Sequence, residues 1–310
     1  ILGSHREVHT VSEPWLMLHS LCAFRPGEYV AQYDEQTELL AKRRFVDTLP
    51  EGMSDYFAGL RRMYSYLYDR VLTGSGKAYF LDKTPRYYLV IDELYKTFPN
   101  AHYVILLRNP LAVLCSVFNR GVKMDWGRLH WWRHDLMRAP TFLTEGIELL
   151  GRRAVVVHYE DLVTEPESSV ERICEKLGIV FSPDMVDYGR DGVSPWIFGD
   201  PKAVYEHVRP FPQNAEKWIE ELKNAQVWRL AKDYLNFLGR GQLGRMGYSY
   251  EELQEVVESY RPRRYTLCFT FSLDWLLKRP PTKRGKWERY VLRLVGALRQ
   301  NGRFKAGTIK

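Results

Sequence analysis

The sequence lacks the patterns that mark several common protein classes. Its four cysteines lie far apart and form no Cys-x-x-Cys pair, and its eight histidines form no His-Glu-x-x-His motif. No run of 18 or more apolar residues is present to cross a membrane as a helix. No signal peptide is evident, although the first residue is Ile1 rather than Met. These absences argue against a disulfide-stapled domain, a zinc site of common spacing and a membrane-spanning helix.

The cysteines are scarce and dispersed, at positions 22, 115, 174 and 268. Cys115 lies in an apolar helical segment, and Cys174 has apolar neighbours. We therefore predict core thiols of a reducing compartment, and a cytoplasmic protein.

A nucleotide-binding P-loop is not found either. Gly74-Ser75-Gly76-Lys77 resembles the end of such a loop, but the first glycine four residues earlier is absent, and a predicted strand follows the segment. We interpret it as an ordinary turn. A P-loop kinase is therefore only weakly supported as an interpretation, since it would also need an acidic residue for magnesium.

Basic residues are concentrated at the end of the chain. The net charge is +7, from 45 basic and 38 acidic residues, but residues 261–310 hold 14 Lys and Arg against 2 Asp and Glu. We divide the chain into a body, residues 1–260, and a basic extension, residues 261–310. Within the extension, Trp287 to Leu298 has apolar residues at helical spacing with basic residues around them. Two interpretations stay open: a helix docked on the body, or a basic surface at residues 283–305 that contacts a peripheral membrane or an anionic acceptor.

Residues 78–120 contain the pattern that decides the fold class. The apolar run Ala78–Leu81 ends in Asp82-Lys83-Thr84-Pro85, a helical pattern follows through Phe98, and His102–Leu107 is a second buried strand. Pro110 suits the first turn of a further helix. Two strands joined through a helix predict parallel pairing and an α/β fold with a central parallel sheet flanked by helices.

The end of the second strand carries residues suited to an anion. Arg108 stands at the carboxyl end of the strand, where ligands of such sheets bind. Ser116 lies about two helical turns further on, and Arg120 follows at i+4. Together they supply a guanidinium fork, a hydroxyl and a second cation. The same residues are equally consistent with a capped surface loop and a packed helix.

A family resemblance favours the anion site. Arg108-Asn109-Pro110 with Ser116 and Arg120 resembles the 3′-phosphate motif of sulfotransferases that use 3′-phosphoadenosine 5′-phosphosulfate (PAPS). Leu81–Pro85, Phe98–Ala101 and His158–Leu162 are similar to the same family, and the likeness spans roughly residues 1–240. It is closest to the bacterial, Golgi and tyrosylprotein type. The Lys-x-His pattern of the cytosolic phenol and steroid enzymes is absent, since Thr84-Pro85 follow Lys83.

The resemblance implies roles for individual residues. Glu13, eight residues after His5, corresponds to the family's catalytic glutamate, and the alternative is that it caps a helix over Pro14–Ala23. Lys83 would stabilise charge that develops on the transferred group. Arg108, Ser116, Arg120, Tyr159, Ser194 and Arg209 would bind the nucleotide.

One family feature is missing from the sequence. Ile1–Val8 is predicted to form the C-terminal end of a helix. Family members place a first strand and a Gly-rich phosphosulfate loop directly before this helix, and we find neither. We expect both to belong before residue 1. Either the sequence starts after them, or a disordered loop has been omitted from it.

The resemblance thus implies an enzyme that moves a sulfuryl group from PAPS to a hydroxyl acceptor and leaves 3′,5′-adenosine bisphosphate. The acceptor would be a small molecule, a carbohydrate or a lipid, with a Glu general base, no metal and no nucleic acid. The alternatives are the P-loop kinase, or a non-catalytic binder of acidic polymers or membranes that uses the basic extension.

Overall fold

The computed structural model describes residues 1–25, 35–119, 129, 132–188 and 208–262. These residues form two compact units. Unit 1 comprises residues 1–105, 145–157 and 161–211, and unit 2 comprises residues 106–144, 158–160 and those from Pro212 onward. Residues 263–310 of the basic extension, Arg120 and Ser194 lie outside the described residues.

The described strands form two pairs, which we number in chain order. Strand β1 (Val8–Ser12) pairs in parallel with β2 (Tyr79–Lys83), in a register that sets Ser12 opposite Lys83. Strand β3 (Tyr103–Leu107) pairs with β4 (Ala154–His158). Helical segments alternate with the strands, which confirms the predicted α/β class.

Helices make up most of the described chain. The α-helices are α1 (Leu18–Leu21), α2 (Glu35–Val46), α3 (Met53–Ser75), α4 (Ile91–Thr97), α5 (Pro110–Val117), α6 (Arg133–Met137), α7 (Ala139–Leu150), α8 (Tyr159–Thr164), α9 (Pro166–Leu177), α10 (Lys217–Glu221), α11 (Ala225–Arg245) and α12 (Tyr250–Ser259). Short 3₁₀ helices cover Leu2–Ser4, Cys22–Phe24, Tyr87–Val90, Gly151–Arg153, Pro183–Val186 and Pro212–Asn214.

Two sequence-based expectations about the strands were wrong. Residues 1–8 were expected to end a helix, but a 3₁₀ turn there leads into β1, so Glu13 follows a strand. The strands on either side of α4 were expected to pair with each other, whereas in the described chain β2 pairs with β1, and β3 with β4. Chain order alone does not specify which parallel strands become neighbours.

The core of unit 2 forms around α5. Its residues Leu111, Leu114 and Cys115 are at most 1% exposed, and they cluster with apolar residues of α10, α11 and α12. The helix begins as Asn109-Pro110 predicts, because the Asn109 side chain accepts a hydrogen bond from the Leu111 amide at 2.9 Å. Helix α5 therefore holds the residue that follows Arg108 in a fixed, buried position.

Buried tyrosines make the stability of the protein sensitive to alkaline pH. Burial raises the pKa of Tyr103 and Tyr234 above the usual value of 10.0, and the Tyr103 hydroxyl donates to the backbone oxygens of Leu94 and Phe98. Above that pH the unfolded chain loses phenol protons that the folded chain keeps, so the free energy of unfolding falls as pH rises. We expect Tyr103→Phe to make this decline shallower, by up to about 1.4 kcal/mol per pH unit.

Urea unfolding measured at several pH values between about 8 and 11 checks this expectation. The control is Tyr66→Phe, which removes the hydroxyl of an exposed side chain. An unchanged decline in Tyr103→Phe would contradict it.

Candidate active site

The Glu13 carboxylate and the Lys83 amine meet where β1 and β2 end. Lys83 Nζ donates to Glu13 Oε1 at 2.5 Å. The Glu13 side chain is 12% exposed and the Lys83 side chain 59%, so the carboxylate is sheltered while the amine faces solvent. The carboxyl ends of parallel strands are the usual place for ligands in α/β proteins. The structure thus brings the two predicted catalytic residues together.

The backbone around Glu13 adopts an uncommon conformation. Glu13 and Trp15 have φ angles of 45° and 53°, the positive-φ residues other than glycine within the described chain. Such angles cost free energy for residues with a Cβ and persist only where surrounding contacts impose them. Helix α1 begins at Leu18 with Met17 as its N-cap, so Glu13 does not cap it. The capping alternative for Glu13 is therefore wrong.

Next to Lys83, the Asp82 carboxylate accepts hydrogen bonds from three hydroxyl groups, those of Tyr68 at 2.5 Å, Tyr87 at 2.8 Å and Thr84 at 3.2 Å. Burial, followed by the charge of Asp82, raises the pKa of Tyr68 and of Tyr87, so both phenols stay protonated as donors. Sequence reasoning noted Asp82 only as part of a motif. A carboxylate within a half-buried strand requires hydrogen-bond donors, and this requirement could have identified Asp82 from the sequence.

In unit 2, Arg108 lies against Tyr159. Its guanidinium carbon is 4.2 Å from the centre of the tyrosine ring, a cation–π arrangement. Its Nη2 donates to the Asn214 backbone oxygen at a long 3.4 Å, and its buried Nε has no hydrogen-bond partner among the residues that the structure describes. A buried guanidinium N–H without a protein partner is a donor that a ligand oxygen can satisfy. Arg108 and Tyr159, which were each predicted to bind the nucleotide, are thus in contact.

A second network, not found from sequence, holds the loop that carries Arg108. Glu160 accepts from the Asn109 amide at 2.9 Å through one oxygen and from the Tyr248 hydroxyl at 2.8 Å through the other. Gly247, which directly precedes Tyr248, has φ 82°, and a Cβ there would lie 2.9 Å from a His158 ring carbon, so this position favours glycine. Tyr248 is far from Glu160 in sequence, so no local pattern pointed to it. Glu160 therefore links the backbone next to Arg108 to the Tyr248 hydroxyl.

The other predicted nucleotide residues have different outcomes. Ser116 lies on α5 and is half-buried. Arg209 forms ion pairs with Glu167 and, at 3.6 Å, with Asp187, so in this structure its charge is matched by carboxylates of unit 1. Arg120 and Ser194 lie outside the described residues. Roles in nucleotide binding remain predictions for all four.

The described cysteines are core thiols, as predicted. Cys22, Cys115 and Cys174 are buried thiols. Burial, with the nearby Glu221 carboxylate adding to it, raises the pKa of Cys115 to about 12, so it is a neutral thiol at physiological pH. Within the described ranges, no cluster of three His, Cys, Asp or Glu side chains is arranged to hold a metal ion, and no helix is long and apolar enough to cross a membrane.

Comparisons with known proteins agree with the resemblance seen in the motifs. Residues 1–183 match the Sulfotransferase family. The chain is 29% identical over 202 residues to nodulation protein NoeE of Sinorhizobium fredii (strain NBRC 101917 / NGR234), covering 57% of this chain and 46% of NoeE. It therefore spans less than half the length of that relative.

Two solved structures are also similar. The sulfotransferase domain from the curacin biosynthetic pathway is 19% identical with a TM-score of 0.44, over 70% of this chain and 83% of that one. The sulfotransferase domain from the Synechococcus PCC 7002 olefin synthase is 22% identical with a TM-score of 0.39, over 70% and 90%. Because the family match covers more than half of the residues, this chain belongs to the Sulfotransferase family.

Proposed function

We propose that the protein transfers a sulfuryl group from PAPS to a hydroxyl group of an acceptor, leaving 3′,5′-adenosine bisphosphate. The S–O bond to the phosphate breaks, a new S–O bond forms to the acceptor oxygen, and the acceptor proton passes to the protein. Family membership supports the reaction class. The donor, the base and the absence of a required metal are proposals about this chain.

The observation that carries the proposal is the Glu13–Lys83 pair. A sheltered carboxylate can accept the acceptor's proton as a general base. The exposed ammonium beside it can stabilise negative charge that builds on the sulfuryl oxygens and on the leaving phosphate. The hydrogen bond of 2.5 Å from Lys83 Nζ to Glu13 Oε1 orients the carboxylate before the acceptor enters.

The Arg108 loop fits the nucleotide part of PAPS. A planar arginine fork suits a 3′-phosphate, and Arg108 offers a buried Nε that no described residue of the protein bonds. The Tyr159 ring limits where the guanidinium can lie. PAPS supplies the activated sulfuryl group, and these residues bind and orient its nucleotide. Ser116, Arg120, Ser194 and Arg209 complete the proposed set.

A thermal-shift comparison tests the proposed donor. We expect adenosine 3′,5′-bisphosphate to raise the melting temperature far more than AMP, ADP or ATP at equal concentration, because only it carries a 3′-phosphate. Chelation with EDTA should leave that shift unchanged, whereas a P-loop kinase would prefer ATP with magnesium. Equal shifts with the bisphosphate and AMP would overturn the assignment. Labelled PAPS with phenol, sugar and lipid hydroxyl panels then identifies the acceptor.

The basic extension supports a separate, testable alternative. If residues 283–305 contact an anionic surface, each well-placed cation near it adds about 1 kcal/mol of salt-sensitive attraction. We expect deletion of residues 283–310 to reduce binding to phosphatidylserine vesicles at low salt. Vesicle binding is measured at low and at high salt. If the intact chain binds vesicles at neither salt concentration, and the truncated protein merely melts at a lower temperature, the extension is structural. The cytoplasmic location stays a prediction from the cysteines.

A further inference from the structure

We infer that Tyr87 and Thr84 are positioning residues for the proposed sulfuryl transfer, because they hold the strained segment that carries Glu13. The inference deepens the proposed function and rests on it for its catalytic meaning.

The contacts run from one strand end to the other. The Thr84 hydroxyl accepts from the Trp15 amide at 3.2 Å, and the Tyr87 hydroxyl accepts from the Met17 amide at 3.3 Å. Both hydroxyls in turn donate to Asp82. Each hydroxyl therefore links Asp82, at the end of β2, to the backbone that follows β1.

This linkage explains why an unfavourable backbone persists at Glu13. Positive φ at Glu13 and Trp15 requires compensating contacts, and the amides of Trp15 and Met17 obtain them from Thr84 and Tyr87. Thr84 is 6% exposed, so loss of its hydroxyl would leave the Trp15 amide and Asp82 with fewer partners away from water. The same residues thus determine where Glu13 meets Lys83.

Tyr68 provides a matched control. Its hydroxyl donates to the same Asp82 oxygen as that of Tyr87, and its ring stacks on Phe80 at 4.3 Å. The described contacts give it no bond to residues 13–17. Tyr68→Phe and Tyr87→Phe therefore each remove one donor to Asp82, but only the second removes a contact to the Glu13 segment.

The test measures the ion pair without any substrate. Acetic anhydride acylates Lys83 at a rate that rises when the amine is freed from Glu13, and Glu13→Gln defines the fully freed rate. We expect Tyr87→Phe and Thr84→Val to raise the Lys83 acylation rate severalfold toward that limit. Both should also speed hydrogen exchange of the peptide that contains residues 13–17, while Tyr68→Phe and Thr84→Ser stay near wild type.

Each outcome decides the inference. If Tyr68→Phe and Tyr87→Phe give the same acylation and exchange rates, the tyrosines only neutralise Asp82 and the inference fails. If Tyr87→Phe does not fold, the Thr84→Val and Thr84→Ser pair decides in its place: equal rates in these two variants overturn the inference. If the acylation and exchange rates follow expectation but the wild type does not bind adenosine 3′,5′-bisphosphate, the positioning role is supported and the proposed function is wrong. In an active enzyme, Tyr87→Phe should lower kcat and leave nucleotide affinity unchanged.

Discussion

Glu13→Gln should abolish most turnover and leave nucleotide binding intact. The amide nearly matches the carboxylate in size but cannot accept the acceptor's proton, and loss of a general base typically lowers kcat by about 10²–10⁴-fold. The change leaves Arg108 and its surroundings untouched, so the affinity for adenosine 3′,5′-bisphosphate should stay at the wild-type value. Steady-state rates and calorimetry on the full-length protein measure the two quantities.

Glu93→Gln is the matched control. Glu93 also forms a partly sheltered ion pair in unit 1, with Arg25 Nε at 2.6 Å, and it has no proposed part in the reaction. We expect it to lower the melting temperature and to keep the rate. If Glu13→Gln retains more than half of the wild-type rate, Glu13 is not the base.

Arg108→Ala should produce the largest loss of nucleotide affinity. Removing a charged hydrogen-bond donor typically costs about 1.5–3 kcal/mol, which corresponds to roughly 10- to 150-fold weaker binding of adenosine 3′,5′-bisphosphate. Affinity for AMP should change much less, since AMP has no 3′-phosphate. Arg108→Lys should recover only part of the loss, because lysine keeps the charge without the fork. Calorimetry with both nucleotides makes the comparison.

Arg240→Ala controls for the loss of an arginine in unit 2. Arg240 also lies over a tyrosine ring, 4.8 Å from the centre of Tyr250, and pairs with Glu251 at the surface. We expect its replacement to leave both affinities unchanged. If Arg108→Ala weakens the binding of both nucleotides equally, the guanidinium stabilises the loop and does not bind the 3′-phosphate.

The sequence was informative where local composition decides structure. The apolar run that became β3 is continuous, and Asn109-Pro110 is a strong helix start, so β3 and the start of α5 lie within a residue of the expected positions. In contrast, β1 reads Val-His-Thr-Val-Ser, with two polar residues inside a short segment. Nothing in that composition separates a strand from the end of a helix.

The site was predictable to the same extent. Lys83, Arg108 and Tyr159 each follow or end a strand, so a motif could place them, and the family resemblance supplied Glu13. The contacts that position these residues join distant parts of the chain, such as Glu160 with Tyr248 and Thr84 with Trp15. Such pairings depend on the folded arrangement and leave no local sequence pattern.

The packing of α5 determines where the chain can be cut for expression. The family match ends at residue 183, but α5 is covered by α10 and α11, which follow that point. A fragment that stops at 183 would expose Leu111 and Leu114 to water, and it would leave Glu160 without the Tyr248 hydroxyl. A fragment of this protein intended for crystallisation therefore needs to extend at least through α12, well beyond the conventional family boundary.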